Sequence, residues 1–79
     1  MDRGRALDAA RREIGLSVTG VWRRYFGLGG TATPADIAAY LEGNAQLSRI
    51  EHDTLAHAIN EAFTEVGMNH PVPYSEGSS

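Results

Sequence analysis

The residues of this chain best suited to chemistry are its histidines and the acidic residues beside them. Asp53, His57 and Glu61 are spaced four residues apart, which would place them along one face of a helix. His52 and His57 are five residues apart, or about 140° around a helix axis, so their rings would not converge on a metal ion. A single exposed helix face is a poor zinc site. We therefore interpret this face as solvated, with Asp53 and His57 as a favourable pair, and expect no metal.

Ser48, His52 and Asp53 are the residue types of a hydrolase triad. They fall within about one or two helical turns, whereas a triad needs groups that converge across a cleft beside an oxyanion site. Ser48 is also well placed to cap a helix. A domain of 79 residues has little volume for both a core and an enclosed pocket. We therefore expect a protein that is not an enzyme.

Composition removes further chemistries. The chain has no cysteine and no lysine, which excludes a thiol nucleophile, a thiolate metal site, a Schiff base and a P-loop lysine. Residues 27–30, Gly-Leu-Gly-Gly, follow a predicted helix and not a strand, so we predict a loop and not a phosphate-binding cradle. No apolar run is long enough to span a membrane. We expect a cytoplasmic protein with no cofactor and no membrane contact.

Charge is distributed unevenly along the chain. Residues 1–24 contain six arginines and three acidic residues, a balance of +3. Residues 25–79 contain one arginine and seven acidic residues, a balance of −6. The two parts either attract each other or lie in solvent, or the arginines form a surface for a polyanion or an acidic partner. The arginines of such a surface would be Arg11, Arg12, Arg23 and Arg24.

The elements that position these residues are predicted to be four helices in one compact bundle. Apolar residues recur at helical spacing, and a glycine, which ends helices by adopting the left-handed conformation, follows each stripe. These glycines are Gly15, Gly27, Gly43 and Gly67. The prediction is a single all-α domain over residues 1–67, followed by an extended tail over residues 68–79 that contains two prolines at alternate positions.

The second helix is predicted to form the centre of the core. It follows Ser17, a favoured N-cap residue, and its apolar stripe contains three aromatic side chains. The stripe consists of Val18, Val21, Trp22, Tyr25 and Phe26. Gly20 would weaken this helix, and we interpret it as the site of a close helix crossing.

The third and fourth helices have the clearest start signals. Residues 33–36, Thr-Pro-Ala-Asp, approximate a capping box with proline at the first helical position. Residues 48–51, Ser-Arg-Ile-Glu, match the S-x-x-E capping box. Ile50 lies off the apolar face of the fourth helix. It either packs under the preceding loop or is exposed and marks a contact surface.

Two helix pairs, the first with the second and the third with the fourth, have the order of a helix-turn-helix motif. The second helix of such a pair must present Arg, Lys, Asn or Gln to DNA. The fourth helix begins with Arg49 but continues with Glu51 and Asp53, which phosphates repel. The second helix carries Arg23 and Arg24, yet its first turn has little to read bases. DNA binding by the N-terminal arginines is therefore the alternative interpretation.

Two segments carry a resemblance to other sequences. They are residues 21–34, Val-Trp-Arg-Arg-Tyr-Phe-Gly-Leu-Gly-Gly-Thr-Ala-Thr-Pro, and residues 51–61, Glu-His-Asp-Thr-Leu-Ala-His-Ala-Ile-Asn-Glu. Both resemble segments of short all-helical proteins from GC-rich actinobacteria. The resemblance covers most of residues 15–66, and no function is carried over from it.

By elimination, the sequence predicts a non-enzymatic regulatory or adaptor module that binds another protein. Two surfaces are candidates for the partner. One is the outer side of the fourth helix, with Ile50, Asp53, His57 and Glu61. The other is the arginine set, Arg11, Arg12, Arg23 and Arg24. Self-association, in which the basic part of one chain meets the acidic part of another, is a further alternative.

Overall fold

The computed structural model describes residues 3–65, which form four α-helices around one core. The helices are α1 (Arg3–Glu13), α2 (Val18–Gly27), α3 (Pro34–Leu41) and α4 (Arg49–Glu65). This part of the chain contains no strand, so the predicted all-α class is confirmed. α4 packs against α1 and α2, and α3 packs against the same two helices. The predicted tail over residues 68–79 and the predicted helix end at Gly67 lie outside the described residues.

The core is built from one face of each helix. Its members are Leu7, Ala10, Val21, Tyr25, Ile37, Tyr40, Leu41, Leu55, Ala56, Ala58, Ile59 and Phe63. Within each helix they recur every three or four residues, which is why the apolar spacing predicts the buried faces. Tyr25 and Phe63 are the largest fully buried side chains, so α2 and α4 meet at the centre. Among the described helices, none is long and apolar enough to cross a bilayer.

The aromatic side chains of α2 do not all enter the core. Tyr25 is fully buried, whereas Trp22 is half-buried and Phe26 is 59% exposed, so the prediction for Phe26 is wrong. Trp22 stacks on Phe26 with ring centroids 5.0 Å apart, and its indole N–H donates to the carbonyl of Ala32 at 3.0 Å. The apolar stripe of α2 is wider than the surface that its neighbours cover, so the rings at its edge lie outside.

Three helices end with a glycine at positive φ. These are Gly15 (φ 71°), Gly29 (φ 98°) and Gly43 (φ 84°). Each glycine and the residue after it donate backbone N–H groups to carbonyls of the last turn, which is the Schellman arrangement. The left-handed residue after α2 is therefore Gly29 and not the predicted Gly27, which is still helical. The sequence offers several neighbouring glycines there, and apolar spacing does not choose among them.

A close helix crossing occurs at Gly4 and not at Gly20. A Cβ on Gly4 would lie 2.0 Å from the carbonyl oxygen of Tyr40, so α1 and α3 touch through their backbones. A Cβ on Gly20 would instead lie 2.9 Å from Cδ1 of Leu16, in the connection before α2. The prediction for Gly20 is wrong because this glycine makes room for its own loop and not for another helix.

The two predicted capping boxes have different outcomes. At α3, Thr33 Oγ1 accepts the N–H of Asp36 at 3.1 Å, and Asp36 Oδ2 accepts the N–H of Thr33 at 3.3 Å, which confirms the box. At α4, Ser48 Oγ accepts the N–H of Glu51 at 3.2 Å. The Glu51 carboxylate, however, accepts a hydrogen bond from the Tyr25 hydroxyl, so the second half of the box is replaced by a contact between helices.

Candidate protein-binding surface

A shallow groove of about 390 Å³ lies between the C-terminal end of α2 and the outer side of α4. We call it the α4 groove, and its lining residues are Leu28, Ile50, Asp53, Thr54 and His57. Ile50 is 75% exposed and Leu28 is 38% exposed. Of the two placements that the sequence leaves open for Ile50, the structure shows the exposed one.

Ile50 points outward because the buried face of α4 is fixed by other residues. Leu55 and Ile59 are fully buried against the core. Ile50 precedes Leu55 by five residues, or about 140° around the helix, so both cannot face inward. With Leu28 it forms an apolar spot on an otherwise polar helix face.

The groove continues into an acidic row along α4. Asp53 is half-buried, and the exposed His57 lies one turn further along. His57 Nε2 lies 3.4 Å from the Glu61 carboxylate, and the two side chains are 53% and 44% exposed. The pairing of His57 with Asp53 stays a prediction. The candidate residues of the fourth helix thus lie on one face, beside Leu28 of the loop that follows α2.

An ion pair joins α2 to the end of the same helix face. Arg24 donates two hydrogen bonds to the Glu65 carboxylate, at 2.7 and 2.5 Å. These bonds raise the pKa of Arg24 and lower the pKa of Glu65. The negative charge of Glu61 also helps to raise the pKa of Arg24. Arg24, a member of the predicted arginine set, is therefore engaged in a contact between helices.

The other predicted arginines differ in their accessibility. The Asp8 carboxylate forms ion pairs with Arg11 Nε at 2.7 Å and with Arg12 Nε at 2.9 Å. Arg11 also donates to the Leu16 carbonyl at 3.2 Å, and its side chain is only 17% exposed. The Arg12 side chain is 71% exposed, and Arg23 is exposed. The arginine set is thus partly neutralised within the fold.

A polar network that the sequence did not predict fixes the loop after α2 onto α4. The Tyr25 hydroxyl donates to Glu51 and accepts the N–H of Ala32 at 2.8 Å. The Thr31 hydroxyl donates to the same carboxylate at 3.0 Å. Hydrogen bonds from Tyr25 and Thr31 lower the pKa of Glu51. The pKa of Tyr25 is raised, mainly by burial and also by its hydrogen bond to Glu51. This network holds the loop that begins with Leu28 beside the α4 groove.

His52 belongs to the core. It is 2% exposed, and its Nδ1 lies 2.6 Å from the Tyr40 hydroxyl. This contact joins α3 to α4. Because the His52 ring faces Tyr40 in the core, it is not accessible to a substrate, as the histidine of a triad with Ser48 would have to be. The sequence signal that could have placed it is its spacing of three and seven residues from Leu55 and Ile59, which puts all three on the buried face.

Neither a metal centre nor a relative defines the site. Within residues 3–65, no three His, Asp or Glu side chains are grouped so that they could hold a metal ion. Comparisons with family models, curated proteins and solved structures found no significant match to this chain. Residues 3–65 form a small all-α fold with four helices.

Proposed function

We propose that the protein is a non-enzymatic regulatory or adaptor module that binds another protein through the α4 groove. The observation that carries this proposal is Ile50, a large apolar side chain that is 75% exposed in a concave surface beside Leu28. Apolar residues at the centre of a concave patch with a polar rim are typical of protein interfaces.

The position of these side chains has little value for stability. A single exposed apolar residue is ordinary in a folded protein. Here, however, Ile50 of α4 and Leu28 of the loop after α2 share one groove, with Asp53, Thr54 and His57 around them. Binding a partner gives this arrangement a physical use.

DNA binding by the N-terminal arginines has less support. Arg11 is mostly buried, and Arg24 is engaged with Glu65. Asp8 lies between Arg11 and Arg12, where a phosphate would compete with its carboxylate. Cations contribute to DNA affinity by releasing counterions from phosphates, and cations already paired with carboxylates contribute less.

Affinity capture with three matched baits tests the proposal. The baits are the wild-type chain, Ile50→Asp in the α4 groove and Arg23→Glu on the exposed side of α2. Both positions are exposed on helices, so neither substitution should disturb the fold, which thermal melts can check. We expect a protein that the wild type and Arg23→Glu retain and that Ile50→Asp loses. No specific partner, equal retention by all three baits, or loss with Arg23→Glu alone would contradict the proposal.

A further inference from the structure

We propose that the segment that occupies the α4 groove is a basic amphipathic helix of the partner protein. This inference rests on the proposed protein-binding function and adds the chemistry of the segment that is bound. Three features support it: the charge of α4, the apolar spot formed by Leu28 and Ile50, and the dimensions of the helix face.

The charge of α4 favours a cationic segment. The helix contains four acidic residues and one arginine, a formal charge of −3 with its histidines neutral. Glu65 is bonded to Arg24, and Glu51 is bonded to Tyr25 and Thr31, so neither carboxylate adds to the charge of the groove. Asp53 lines the groove, and Glu61 lies further along the same face with a side chain that is 44% exposed. Arginine or lysine side chains of a bound segment would complement this potential.

The apolar spot and its length favour a helix. From residue 50 to residue 61, α4 advances about 16 Å, or three turns. A helix laid along this face would place an apolar side chain against Leu28 and Ile50, and a cationic side chain three turns later near Glu61. Amphipathic helices bind grooves in this way, through anchors spaced three, four and seven residues apart.

A second copy of this chain fits the groove less well. Its most arginine-rich helix, α1, buries Leu7 and Ala10 in its own core, so it offers charge without an apolar anchor. Phe26 is exposed but stacks on Trp22 of the same helix. A partner that supplies both an apolar stripe and cations therefore fits better than self-association.

Three synthetic helical peptides of about 15 residues, long enough for four turns, test the chemistry of the bound segment. The first has leucines at positions i, i+3, i+4 and i+7 and arginines elsewhere. The second keeps the leucines and replaces arginine with glutamate. The third has the composition of the first but a scrambled order without a stripe. Each is titrated into the full chain labelled with ¹⁵N, and amide shifts report where it binds.

We expect only the basic amphipathic peptide to bind in a saturable manner, with shifts centred on Leu28 and on residues 50–61. Ile50→Ser should weaken its binding roughly tenfold, as removal of an interface anchor does. Glu61→Gln should weaken it by a smaller factor and reduce its dependence on salt. Glu42→Gln, at the exposed C-cap of α3, is the matched control and should leave binding unchanged.

Several results would overturn the inference. They are no saturable binding up to about 1 mM peptide, equal binding of the acidic or the scrambled peptide, or shifts centred on α1. A dimer without peptide that Ile50→Ser dissociates would show that a second copy fills the groove instead. If affinity capture depends on Ile50 while the basic amphipathic peptide fails, the protein-binding function stands and the basic helix is wrong.

Discussion

The Tyr25 hydroxyl is the polar group that positions one wall of the α4 groove. It is bonded to Glu51 of α4 and to the N–H of Ala32 in the following loop. The loop also passes over the ring itself, because a Cβ on Gly30 would lie 2.2 Å from a ring carbon. Tyr25 and its hydrogen bonds thus help to hold the loop that begins with Leu28 against α4.

Tyr25→Phe should lower the free energy of unfolding by about 1–3 kcal/mol, since it leaves Glu51 and the Ala32 N–H without this partner. Urea unfolding measures the change through its midpoint. Thr64→Ala is the control, because the Thr64 hydroxyl is exposed and donates to the Asn60 carbonyl of its own helix. A midpoint for Tyr25→Phe equal to that of the control would show that the network does not stabilise the fold.

The lowered pKa of Glu51 makes the same network sensitive to acid. The pKa of Glu51 in the folded state lies below its ordinary value of 4.5. The ionised Glu51 carboxylate therefore stabilises the fold above pH 4.5, and this stabilisation is lost as the pH falls through the pKa of the folded state. Glu51→Gln removes this contribution. The difference in unfolding free energy between wild type and variant should therefore be largest near neutral pH and shrink at about pH 3. Urea unfolding of both proteins across this pH range measures the difference. A difference in unfolding free energy that does not change with pH would contradict a stabilising role for the ionised Glu51.

At the scale of elements, the end of α2 determines where Leu28 lies. Gly27 is helical, and a Cβ there would meet nothing within 4 Å, whereas Gly29 has φ +98°. Gly27→Ala should raise stability by about 0.5–1 kcal/mol, and Gly29→Ala should lower it by about 1 kcal/mol or more. Thermal melts of the two variants show whether each substitution raises or lowers the stability. The opposite order would place the helix end at Gly27.

Local sequence signals predict a helix boundary well where a single signal, such as an N-cap residue, determines it. The Thr33 cap and the S-x-x-E start at Ser48 are both read from residues adjacent in sequence, and both helices begin there. The end of α2 is not predicted because Gly27, Gly29 and Gly30 lie close together in sequence, and apolar spacing does not show which of them adopts positive φ.

The candidate site is predictable only in part, for a different physical reason. Spacing places Ile50, Asp53, His57 and Glu61 on the outer side of α4, as observed. Spacing cannot show that Leu28 completes a groove there. Contacts that bring together distant parts of the chain, such as Arg24 with Glu65, have no signal in a local pattern.

At the scale of the whole molecule, the basic and acidic parts of the chain partly neutralise each other. The ion pair of Arg24 with Glu65 joins the basic part to the acidic part. Within α1, Asp8 forms ion pairs with Arg11 and Arg12. We therefore expect no measurable binding to duplex DNA at about 50 mM salt, because Arg11 and Arg24 are engaged within the fold and the Asp8 carboxylate lies beside Arg12. Fluorescence anisotropy with labelled DNA tests this. Binding that falls steeply with salt, with a slope near −0.9 per phosphate contact, would favour the DNA alternative.

Contact between the α4 groove and another protein can be measured directly in the cells that produce the chain. A photo-crosslinking amino acid is placed at position 50, and at position 23 of the exposed side of α2 as the control. We expect light to produce a discrete adduct with a second protein from position 50 and none from position 23. No adduct from position 50, or the same adduct from both positions, would contradict a binding function for this groove.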